Sequence, residues 1–118
     1  MPQLVLEFSA NITEKNTMNI LFSECHTALA TMLPAELASC KSRAYESSFF
    51  CVGDGRKDNA FVHVALKVLT GRSVETLNRV GEHLLTILKR YFAQSSHDLN
   101  LQISLEIMEL ENTYFKSA

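Results

Sequence analysis

Little in this chain of 118 residues suits metal chemistry, membrane insertion or the grip of a polyanion. Cysteine is scarce and odd in number, with Cys25, Cys40 and Cys51 at spacings that match no zinc pattern. The three read as reduced thiols of a cytoplasmic protein rather than as a disulfide framework. His26, His63, His83 and His97 are scattered, without the i,i+4 or Cys-paired spacing of ligands, so no metal site is expected. No apolar run reaches membrane-spanning length, and no secretory or transit segment is expected. Eleven cations against thirteen acids leave a formal net charge of −2. That balance gives no general drive toward nucleic acid or an acidic membrane. Apolar residues are plentiful instead, at 47% of the chain, enough for one domain with a real core.

Alternation and helical spacing divide the chain cleanly. Residues 2–8 put Leu4, Leu6 and Phe8 on one face and Gln3, Val5 and Glu7 on the other, which predicts a strand. Asn11 with Glu14 three residues on reads as a capping box. Met18, Leu21, Phe22, Cys25, Leu29 and Met32 then recur at helical steps up to Pro34. A second strand is expected over 38–50, with Lys41, Arg43 and Tyr45 on one face, before a polar turn cluster at 53–58. The pattern then repeats. Residues 60–69 form a strand, Ser73 caps a helix that carries Glu75 in its first turn and reaches about Phe92, and 100–109 alternate again.

The chain therefore reads as a single domain, 1–118, made of two β-α-β units at about 2–52 and 58–112. Each unit is too small to bury its own helix and strands well. Side by side they predict an α/β (α+β) fold, a four-stranded sheet with two helices on one face. The other face carries Val5, Phe61, Ala65 and Met108 among polar residues. Parallel sheets rarely leave one face to water, so an oligomer packed through these faces is expected.

Proline occurs only twice, and one copy stands directly behind the initiator methionine. Pro2 can simply open a first strand, where its missing N–H costs nothing. It can also do chemistry. A small residue at position 2 generally lets methionine be trimmed, which would turn an inert tertiary amide into a rigid secondary amine. Such an α-amino group titrates near ~8, and burial would pull it lower, toward the range where a general base works best.

Several stretches together resemble the tautomerase superfamily and, within it, the 5-carboxymethyl-2-hydroxymuconate isomerase family. They are Met1-Pro2 at the strand opening, Lys41-Ser42-Arg43, the run 58–63, the run 66–75 with Gly71-Arg72-Ser73 at a strand-to-helix junction, and Leu105-Glu106-Ile107. The resemblance implies a homotrimer whose sheets line a central barrel. It also implies cofactor-free proton transfer on an unsaturated dicarboxylate or tricarboxylate from aromatic-acid (homoprotocatechuate) breakdown. In that setting Pro2 is the acid–base, moving a proton from the 2-hydroxy end to a distant carbon to give the 2-oxo isomer. Arg72 matches the junction arginine, whose planar fork suits a carboxylate. Without the resemblance, Arg72 reads as a solvated residue before a helix cap.

Aligning the two units sets Val62 opposite Pro2 and Ile12 opposite Arg72, so a complete site needs one residue from each. Where the isomerase pattern reads Arg-Ser-Arg, this chain has Lys41-Ser42-Arg43, which keeps charge but replaces a rigid fork with a point ammonium. Lys41 and Arg43 are candidate substrate-binding residues, or equally solvent-facing charges on an edge. Tyr45, Phe49 and Phe50 can wall a pocket or merely pack. His63 is expected to take a core or interface hydrogen bond, Asp58 a turn role, and Cys40 a structural one. Two other activities remain compatible with these residues: a tautomerase of another 2-hydroxy-dienoate or an arylpyruvate, and a noncatalytic trimeric binding module.

Overall fold

The computed structural model describes residues 1–118. Four strands form one sheet: β1 (Gln3–Ser9), β2 (Lys41–Ser47), β3 (Asn59–Val68) and β4 (Asn100–Glu109). Their order is β2-β1-β3-β4. Pairing is parallel within each half, β1 with β2 and β3 with β4, and antiparallel where the halves meet at β1 and β3. Helices α1 (Met18–Met32) and α2 (Val74–Tyr91) make the two crossovers, and a short α3 (Ala93–Asp98) precedes β4. No helix is long and apolar enough to cross a membrane.

Alternation places the core. Leu4, Leu6 and Phe8 of β1 and Val62, Val64, Leu66 and Val68 of β3 are all buried on one face. Leu21 and Cys25 of α1 and Leu84 and Leu88 of α2 converge with Leu4, Leu6 and Val64 around one small gap, so both helices cover the same face. Burying a leucine or valine here contributes about 1.5–3 kcal/mol, which neither half could gather alone. The opposite face is open. Val5, Phe61, Ala65 and Met108 are half-buried there beside exposed Glu7, Lys67, Gln102, Ser104 and Glu106.

The start of α1 departs from expectation. Asn11 and Glu14 form no capping box, and the helix begins only at Met18, behind a Thr17 whose side chain makes no cap bond. Asn11 instead donates to the Asn59 and Lys57 carbonyls, at 2.9 and 3.3 Å. Glu14 accepts from the Ser95 backbone N–H and hydroxyl. The same polar groups that could close a local turn are used to tie the halves together. The second strand is also shorter than 38–50. Leu37–Ser39 forms a 3-10 turn in which the Ser39 N–H and hydroxyl both reach the Glu36 carbonyl, and pairing starts at Lys41.

Candidate active site

The chain starts on the core side of the sheet. Pro2 is buried, and its carbonyl accepts the Lys41 N–H at 3.1 Å. Since Gln3 pairs with Lys41, the next step outward sets Pro2 beside Cys40. The loop from β3 to α2 arrives at the same end of the sheet, because Gln3 also pairs with Lys67. Gly71 turns that loop at φ 110°, a conformation a side chain would strain. Ser73 then caps α2 by accepting the Thr76 N–H at 3.2 Å.

Arg72, caught between this turn and the cap, is half-buried. Its Nη1 donates to the Leu69 carbonyl at 3.0 Å and its Nε to the Leu33 carbonyl at 3.4 Å. Those bonds anchor the guanidinium against the end of α1 and leave three of its five N–H donors for a ligand. Lys41 is exposed on the open face, with Nζ on the Ser39 carbonyl at 3.2 Å. Arg43 lies one pleat further along β2, with Nη1 held by Gln3 Oε1 at 2.9 Å. None of the three belongs to an ion pair.

The amino group of Met1 samples the field at this point. Its pKa is held below the ordinary α-amino value, first by burial and then by the positive charges of Arg72, Lys116 and Lys41. Cys40 acts in the opposite direction. Burial itself pushes the Cys40 thiol up, so it is kept neutral. Pro2, Lys41 and Arg72 are thus gathered at one end of the sheet, with residues from both halves. Arg43 is on the same open face but is not among the charges that act on the amine.

The other singled-out residues lie elsewhere. Tyr45 pairs with Glu7, and Phe50 packs edge-on against Phe61, both away from the Pro2 end, while Phe49 is fully exposed. His63 bridges Ser104 Oγ at 2.7 Å and Glu106 Oε1 at 3.1 Å on the open face. Asp58 offers its carbonyl to the Asn100 N–H at 2.8 Å, a turn role. Sequence reasoning missed Lys116. It sits in an aperiodic tail with no motif around it, and only the folded path of residues 110–118 reveals its neighbours.

Comparison with known proteins agrees with this geometry. A model of the 5-carboxymethyl-2-hydroxymuconate isomerase family matches residues 2–118. The chain is 35% identical to the 5-carboxymethyl-2-hydroxymuconate Delta-isomerase of Escherichia coli over 113 residues, 96% of this chain and 90% of that protein. It resembles the crystal structure of a 5-carboxymethyl-2-hydroxymuconate isomerase from Deinococcus radiodurans R1 with a TM-score of 0.89 at 29% identity, covering 99% of this chain and 90% of that one. The fold is shared more widely. A macrophage migration inhibitory factor-like protein from Entamoeba histolytica reaches a TM-score of 0.70 at 17% identity, over 98% and 95% of the two chains. A fused 4-OT symmetric trimer reaches 0.66 at 18% identity, over 91% and 85%. The duplicated β-α-β sheet, the proline behind Met1 and the Gly71-Arg72-Ser73 junction therefore sit in a chain that belongs to the 5-carboxymethyl-2-hydroxymuconate isomerase family and is an isomerase.

Proposed function

We propose that this protein converts 5-carboxymethyl-2-hydroxymuconate to its 2-oxo isomer, without a cofactor, in the breakdown of an aromatic acid. The observation that carries the reading is the field at the amino end of β1. Arg72 and Lys41, both without ion-pair partners, stand around a partly buried amino group in a member of this family.

Removal of Met1 makes the Pro2 nitrogen the α-amine. The same burial and the same cations then disfavour its ammonium form, so a useful fraction is free base near neutrality. The amine takes the proton of the 2-hydroxyl. As it leaves, charge spreads along the conjugated chain, and the remaining N–H donors of Arg72 stabilise it at the carboxylate end. The prolyl ammonium then returns the proton to the distant carbon, which leaves a 2-oxo group and a regenerated base. Lys41, and Arg43 further in, hold a second carboxylate. The half-apolar open face supports a homotrimer in which these sheets pack inward, an assembly of the kind named for the fused 4-OT trimer.

The deciding experiment is a UV-monitored assay of the dienol with protein whose intact mass shows Met1 removed. Rapid conversion to the oxo isomer is expected. A folded, processed protein that leaves this dienol unchanged would overturn the substrate assignment.

A further inference from the structure

We propose that His26 is a positioning residue whose hydrogen bond to Ser42 fixes the edge strand β2 against α1. In doing so it sets the spacing between Lys41 and Arg43 on β2 and Arg72 on the loop before α2. This rests on the functional reading above, in which those cations hold two carboxylates of one substrate.

Packing fastens β2 poorly. It is an edge strand, paired with β1 alone. None of its seven residues is buried, whereas β1 and β3 each bury one whole face. The ladder to β1 places β2 within the sheet, but a half-covered edge strand can still bend toward or away from the helix layer. Alternation turns Ser42 to that layer, on the side opposite Lys41 and Arg43. The Ser42 Oγ lies 2.6 Å from Nε2 of His26, the one side-chain hydrogen bond between α1 and β2. His26 is half-buried, and burial holds its pKa below the ordinary value. The ring is therefore neutral near pH 7, and the bond joins two uncharged groups.

The cations follow these fastenings. On β2, Lys41 Nζ is tied to the Ser39 carbonyl at 3.2 Å and Arg43 Nη1 to Gln3 Oε1 at 2.9 Å, so both heads move with the strand. Arg72 is fastened to the same helix from the other half. Its Nε donates at 3.4 Å to the carbonyl of Leu33, the C-cap of α1. That carbonyl is one of those a helix leaves without an internal partner, at the end where a cation is favoured. From His26 to Leu33 is seven residues, which is two turns, so both lie on one side of α1 about 10 Å apart along its axis. Helix α1 is thus a rigid spacer. Its end holds the arginine of the second half, and its middle holds the strand that carries the cations of the first.

The test compares Ser42→Ala, His26→Leu, the two combined, and His26→Gln with the parent, all lacking Met1. Ser42→Ala removes the bond from a half-exposed position, so the test does not hang on whether His26→Leu folds. Each single loss of the bond is expected to raise KM about three- to tenfold and to leave kcat within about twofold. The combined variant should lose no more than either alone, because the two side chains act through one bond. His26→Gln, whose amide reaches the place of Nε2, should restore most of the KM. Calorimetry with hexanedioate, a saturated six-carbon dicarboxylate, should show the same weakening and the same rescue. An unchanged KM in Ser42→Ala, a loss confined to kcat, additive losses, or no rescue by glutamine would overturn the proposal. An inactive parent whose hexanedioate affinity still depends on this bond would sink the reaction assigned above and leave the positioning role standing.

Discussion

Helix α1 starts behind Thr17 with no capping side chain, no acid in its first turn and no base in its last. Helix α2 starts behind a bonded Ser73, carries Glu75 in its first turn and ends on Lys89 and Arg90. The strands differ likewise, seven residues each for β1 and β2 against ten each for β3 and β4. The second half is thus locally self-consistent, with cap and dipole chemistry in agreement. The first half is held by contacts from outside it, through Asn11 to the β3 entry and Glu14 to α3. A duplicated plan need not be duplicated in how it is fastened. The half with the weaker local signals is the one that supplies the proposed base, and the tightly capped half supplies the arginine.

Four measurements would break or sharpen that contrast. The largest effect is expected at the amine. A preparation that retains Met1, verified by mass, should lose about 10²–10⁴-fold in kcat/KM against the trimmed protein, because an amide nitrogen cannot carry the proton. Equal rates would remove Pro2 from the mechanism. Next comes the shared core. Leu29→Ala in α1 and Leu84→Ala in α2 should each cost about 2–5 kcal/mol in a single denaturant transition. Two separate transitions would mean that the halves are not one cooperative unit.

Arg72→Ala should lower kcat/KM about 30–150-fold through a lost carboxylate contact of about 2–3 kcal/mol. It should also move the acid limb of the rate profile. A cation beside an amine disfavours the ammonium, so the parent limb should lie below ~8 and shift upward when the cation is removed. An unmoved limb would separate Arg72 from the titrating group. The smallest effect is expected from Ser73→Ala, about 1 kcal/mol of stability from one lost cap, with kcat/KM largely retained.

The strands and the face that each buries were legible because alternation is a local signal, and Val62, Val64, Leu66 and Val68 repeat it without a break. The onset of α1 was not. Asn11 and Glu14 carry the chemistry of a local cap, and nothing nearby in sequence reveals that Asn59 and Ser95 compete for them. Helix α3 gave no signal because five of its six residues are polar and it is short of two turns. Within the candidate site, Pro2 and Arg72 were visible through the resemblance of their surroundings to a known family. The charge that Lys116 adds at the amino end was invisible because it depends on where β4 ends, which is set by the register of three strands.

The start of β1 and the end of β4 at one edge of the sheet have a practical side. On the proposed mechanism anything fused ahead of Pro2 abolishes the free amine, and the tail after β4 leaves the sheet at the same edge at which β1 begins. Neither terminus is a neutral handle for purification or display. The exposed turn at Gly55–Lys57 lies at the opposite end, where β2 hands over to β3, and Gly55 already adopts a positive φ of 80° there. A label or affinity tag inserted at that turn would leave the mouth of the site open, and protein made that way is the form in which activity is best sought.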